Sequence, residues 1–127
     1  MKVGIIRCQQ TEDYCPGTTD FVTAAKGKGS FEALGACEVV GFISCGGCPG
    51  KRAVLRAQML RDRGAEAVAL ASCITKGNPI GFPCPNRDMM LAAIRRKLGD
   101  DFPVLEYTHL SKIALKRRLR KLAPSQR

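Results

Sequence analysis

The stretch Glu38-Val39-Val40-Gly41-Phe42-Ile43-Ser44 runs without a break into Cys45-Gly46-Gly47-Cys48-Pro49-Gly50, and then into Lys51 to Arg63. Its first seven residues form a nearly continuous apolar run, as expected of a strand covered on both faces. From Lys51 onward, Ala53, Val54, Ala57, Met59 and Leu60 are interleaved with basic residues in a helical pattern, and Gly64 is a C-terminal stop. A strand that turns through a Gly-rich dipeptide straight into a helix is half of a βαβ unit, with Pro49 expected near the first helical position.

The same unit recurs on both sides. Val3 to Arg7 reads as a buried strand ended by Cys8, followed by a polar loop from Gln9 to Thr18 that contains Cys15-Pro16-Gly17. Thr19 or Asp20 is the expected cap of a helix through Phe21 and Ala25, interrupted at Gly27 and Gly29. Glu66 to Ser72 is a third strand, ending at Cys73. The loop from Ile74 to Pro85 holds Cys84. Asn86 caps a helix from Arg87 to Leu98 that Gly99 closes, and Phe102 to Tyr107 is a fourth strand, followed by Thr108 and His109. A basic helix from Ser111 to Leu122 completes the order βαβαβαβα. That order predicts a three-layer α/β sandwich on a mainly parallel four-stranded sheet, flavodoxin-like, with strand order 2-1-3-4. One α/β domain over 1–110 and a basic helix or tail over 111–127 account for the chain.

Composition narrows the function. The chain has 127 residues, 45% of them hydrophobic and 25% charged, which is ordinary for a globular domain. No apolar run approaches the length of a membrane span. The start, Met1-Lys2-Val3-Gly4-Ile5-Ile6-Arg7, lacks the apolar core and cleavage site of a signal peptide, so a cytoplasmic location is expected. Thiols stay reduced there. Seven cysteines in such a chain indicate metal ligation or redox work rather than a disulfide framework, and an odd number cannot all pair within the chain.

The cysteines fall at strand ends. Cys8 follows strand one, Cys45 and Cys48 follow strand two, Cys73 follows strand three and His109 follows strand four. In a parallel sheet these positions share the C-terminal edge, where open α/β folds bind their ligands. Cys15 and Cys84 lie in loops on that edge. Cys37 precedes strand two and belongs at the opposite end, as a structural thiol. Thiolates are soft ligands that select zinc, copper(I) or iron–sulfur clusters. In Cys45-Gly-Gly-Cys48 the glycines permit a tight turn that lets two sulfurs grip one ion. A following helix would lower the thiol pKa values. Cys8, Cys45, Cys48 and Cys73 are the expected core ligands, with Cys15, Cys84 and His109 completing that site or a second one. Zinc in a closed tetrahedral site and a 4Fe–4S cluster both fit four thiolates.

Other readings stand beside this one. Cys45 and Cys48 have the spacing of a redox dithiol, which makes a thiol–disulfide oxidoreductase the alternative, though it leaves four other edge thiols unused. His109 is either a ligand or a hydrogen-bonding neighbour of the site. Glu12, Asp13 and Asp20 read as loop and cap residues, so hydrolytic acid–base catalysis has little support. Arg7 and Lys51 are candidates to neutralise a thiolate-rich site. Basic residues exceed acidic ones, 21 to 11, and the segment from Ser111 on carries seven Lys or Arg and no acid. That segment is either a helix docking its Leu and Ile side chains or an electrostatic footprint for an acidic protein, anionic lipid or nucleic acid. Gly27-Lys28-Gly29-Ser30 lacks phosphate-loop spacing.

Val3-Gly-Ile-Ile-Arg-Cys8, Cys15-Pro16, Cys45-Gly-Gly-Cys-Pro-Gly-Lys51, Ala71-Ser-Cys73, Gly81-Phe-Pro-Cys-Pro85 and Glu106-Tyr-Thr-His109 together resemble the CGGC-domain family of mainly anaerobic bacteria and archaea. The resemblance covers residues 1 to 110. It implies metal binding, by zinc in particular, and places the family's motif residues at Cys8, Cys15, Cys45, Cys48, Cys73, Cys84 and His109. Cys37 matches nothing in that pattern. Relatives often carry a histidine where this chain has Asn86, and the tail after His109 is this chain's own.

Overall fold

A computed structural model describes residues 1–11, 15–77 and 83–109. The expected basic helix, like Glu12 and Asp13, lies outside the described residues. Four strands form one all-parallel sheet in the order β2-β1-β3-β4, as the sequence leads one to expect: β1 Lys2–Arg7, β2 Glu38–Ser44, β3 Ala67–Leu70 and β4 Val104–Leu105. The helices are α1 Thr18–Lys26, α2 Lys51–Asp62, α3 Ser72–Thr75 and α4 Arg87–Leu98.

The central strands are apolar because both faces are covered. Val3, Ile5, Ile6 and all of β3 are buried. Gly41 and Phe42 are adjacent on β2 and point to opposite faces. Gly41 meets Leu60 of α2, as does Gly4 of β1, where an added Cβ would come within 2.8 Å of that side chain. Phe42 instead stacks with Phe21 of α1, ring centroids 4.9 Å apart. So α1 lies on one face and α2 on the other, where α4 packs beside α2. That is the expected three-layer arrangement.

Four local expectations change. Neither Thr19 nor Asp20 caps α1. The helix starts two residues earlier on Gly17 in the left-handed region, which leaves Asp20 in the first turn, buried. Pro49 is not at a helical position, because Gly50 is the left-handed N-cap of α2 and Lys51 is its first residue. The apolar run to Ser72 does not stay extended. β3 stops at Leu70, and Ser72–Thr75 turns into the short α3, so Cys73 sits in a helical turn. α4 begins after Asn86 as expected, but the Asn86 side chain makes no capping bond.

The register sets the site. Arg7 pairs with Ser44 and Ile6 pairs with Ile43 and Leu70. The strands therefore end level, and Cys8 and Cys45 emerge side by side on neighbouring strands, roughly 5 Å apart along the sheet. The Cys45 N–H donates to the Arg7 carbonyl at 2.7 Å, and the Ala71 N–H to the Ile6 carbonyl at 2.8 Å, carrying the ladder just past the strand ends.

Candidate metal centre

Cys8, Cys45, Cys48 and Cys84 line one cavity of about 20 Å³ at the C-terminal edge of the sheet. Its floor and walls are completed by Gln9, Ile74 and Met90, among others. Cys8 and Cys45 come from the ends of β1 and β2. Gly46 and Gly47 both have positive φ, and this double left-handed turn brings Cys48 back over the cavity. Cys84 is delivered from the other side. The Cys84 N–H donates to the Ile74 carbonyl at 2.7 Å, and the Asn86 N–H points at the Cys84 sulfur at 3.4 Å. Gly50 packs against the Met90 methyl group, tying the start of α2 to α4 beside the cavity.

Burial grades the thiols. Cys45 is buried, Cys8 and Cys84 are half-buried, and Cys48 is exposed at the mouth. The Cys48 pKa stands above, not below, its ordinary value. Desolvation pushes this thiol above its ordinary value, and the neighbouring Cys84, Cys45 and Cys8 push it the same way.

The remaining predicted site residues stand outside the cavity lining. Cys73 is buried, and its sulfur accepts the Cys8 N–H at 3.1 Å. Burial raises its pKa most. The Cys8 N–H and the Thr11 hydroxyl oppose that, while Cys8 and Asp20 add to it. Cys15 precedes α1, and its carbonyl accepts from Arg7 Nη2 at 2.7 Å, with the guanidinium 5.6 Å from the centre of the Phe42 ring. His109 Nε2 lies 3.4 Å from Asp20 Oδ1. Cys37 sits at the start of β2, at the other end from Cys45, and donates to the Gly35 carbonyl at 3.2 Å. Among the described residues, no three Cys, His, Asp or Glu side chains already surround a common point as a metal needs.

A polar network that sequence reasoning missed holds the edge together. Ser72 and Thr108 are fully buried, and Asp20 is 3% exposed. Ser72 Oγ accepts the N–H of Thr108 at 3.0 Å and of His109 at 2.9 Å, and donates to the His109 carbonyl at 2.6 Å. The Thr108 hydroxyl donates to the Asp20 carboxylate. The signal for it was faint: polar residues placed directly at the ends of apolar runs, at Ser72 and Thr108.

A family model described as the CGGC domain matches residues 2–109, which takes in every described thiol. The chain belongs to the CGGC domain family. It is 43% identical over 79 residues to an uncharacterized protein of Methanocaldococcus jannaschii, a match that spans 58% of this chain and 62% of that protein. No solved structure matches it. The CGGC loop that gives the family its name is the Cys45–Cys48 turn at the cavity mouth. The family's richness in cysteine fits metal binding in general, and the described helices include none long and apolar enough to cross a membrane.

Proposed function

We propose that this CGGC domain binds a single soft metal ion through Cys8, Cys45, Cys48 and Cys84, with zinc the ion of choice. The observation that carries this reading is the convergence of four thiols, from three separate stretches of chain, on one small cavity. Soft sulfur donors fit zinc or copper(I) and exclude hard ions such as magnesium and calcium. The cavity volume is that of one water-sized species. Binding would draw the sulfurs inward round the ion, with the Gly-Gly turn supplying the necessary freedom in the backbone. Four thiolates close the coordination sphere, so the role that follows is structural, or storage and sensing, rather than catalysis at an open site. Cys73 braces the site from behind through the Cys8 amide. The cytoplasm, where thiols stay reduced, is the compartment in which such a site keeps its ligands.

The deciding experiment is elemental analysis and an absorption spectrum on protein purified without oxygen. Stoichiometric zinc in a colourless sample, lost when any one of the four thiols is changed to serine, is the expected result. Iron with sulfide and visible colour would replace the single ion by a cluster. One observation favours a second reading: Cys48 is exposed while Cys45 is buried. An exposed attacking thiol beside a buried resolving one suits dithiol exchange, in which Cys45 and Cys48 give two electrons and two protons to a partner disulfide. A protein that takes up no metal, but cycles between dithiol and disulfide at this pair, would establish that reading instead.

A further inference from the structure

Four thiolates around one divalent ion leave a net negative charge, and like charges at that separation repel. The cavity therefore needs positive charge nearby. Two arginines are placed for it. Arg56 of α2 donates from Nη1 to both the carbonyl (3.1 Å) and the hydroxyl (3.0 Å) of Ser44, the residue before Cys45. Its guanidinium lies along the CGGC turn, where a Cβ on Gly46 would come within 3.2 Å of Arg56 Cζ. Arg87, the first residue of α4, donates from Nη1 to the carbonyl of Cys84 itself at 2.9 Å.

Their partners set these two apart. Arg61 and Arg95, elsewhere on the same helices, have carboxylates, Asp62 and Glu106. Among the described residues Arg56 and Arg87 have no carboxylate at ion-pair distance, and each instead grips backbone beside a cavity thiol. Both guanidinium groups are half-buried, which weakens screening. Each keeps further N–H donors beyond those used on the carbonyls.

We propose that Arg56 and Arg87 are the counter-charges of the thiolate centre, positioning residues that hold the Ser44–Cys45 and Cys84 segments in place and offset the negative charge of the loaded site. This rests on the metal-binding reading above. Sequence alone singled out Arg7 and Lys51 for that role, but Arg7 is turned to Cys15 and Phe42.

The test is zinc affinity of the full chain, measured by competition with a chromophoric chelator, for wild type, Arg56→Gln, Arg87→Gln, Arg56→Lys and Arg87→Lys. Circular dichroism of the zinc-free proteins checks that each folds, and the two positions are on different helices, so one loss of folding leaves the other pair informative. Each glutamine variant is expected to bind zinc about 10–100-fold more weakly, the usual range for a group that supports a metal ligand from outside. The lysine variants, which keep the charge, are expected to stay close to wild type. Glutamine variants that match wild type would overturn the proposal. Equal losses in the lysine and glutamine variants would overturn the counter-charge role, because the carbonyl hydrogen bond would then be the whole effect. A wild-type protein that takes up no zinc would instead strike the metal-binding reading itself, and is seen without any variant.

Discussion

At Ser72 one hydroxyl serves three backbone groups, two N–H donors and one carbonyl, in a site with no access to solvent. Removing it leaves buried N–H groups unsatisfied, at about 1–3 kcal/mol each. Ser72→Ala is therefore expected to destabilise the fold by roughly 2–4 kcal/mol, measured as a shift in the urea midpoint at unchanged slope. Thr108→Val removes the hydroxyl that donates to the buried Asp20 carboxylate, and a comparable loss is expected in the same measurement. Neither cost was visible from composition. Asp20 reads in sequence as a helix cap, because Asp before an apolar periodic run usually is one. The cap fell to Gly17, and Asp20 turned inward because Thr108 and His109, distant in sequence, came to meet it.

At the level of elements, α2 is the part whose position matters most to the cavity. It starts on Gly50, held in the left-handed region at φ 91° with the Met90 methyl against its α-carbon. A Cβ there meets both backbone strain, about 1–2 kcal/mol, and the Met90 side chain that lines the cavity. Gly50→Ala is expected to lower the melting temperature and, by displacing Met90, to weaken zinc binding. Gly50→Ala combined with Met90→Ala should relieve the second effect and not the first. Isothermal titration and thermal denaturation of the two variants separate them. Gly50 beside Pro49 is legible in sequence as a turn, but not as the contact that joins α2 to α4.

Over the whole molecule, three thiols tie stability to pH. Desolvation raises the pKa of Cys37, Cys48 and Cys73 above the ordinary thiol value. The folded protein thus holds these protons more tightly than the unfolded chain does. Their contribution is fully present below about 9, the ordinary value, and is lost as the pH rises through the higher folded values. The metal-free, reduced protein should accordingly melt at progressively lower temperature as the pH rises above about 9. Cys37→Ala should flatten that slope. Zinc acts the other way, since an ion that binds only the folded chain stabilises it by mass action. A melting temperature that rises with added zinc, and falls on chelation, is the expected result in a thermal scan.

The parallel sheet and its order were legible in the residues alone. Continuous apolar runs of strand length, alternating with helical periods and punctuated by Gly64 and Gly99, leave few other ways to bury that surface. The sequence also determined that Cys8, Cys45 and Cys48 share one edge, since strand direction in a parallel sheet puts every strand end on the same side. Which thiols face a common cavity was decided only by the tertiary structure. The sequence places Cys73, at a strand end, among the core ligands, and Cys84, in a loop, only among the candidates to complete them. The early end of β3 turned Cys73 into α3 under the Cys8 amide, while the Ile74 carbonyl held Cys84 at the cavity. Strand ends are set by local patterning; the direction of a side chain beyond them is set by hydrogen bonds to residues far away in the chain, and those form only when the layers pack.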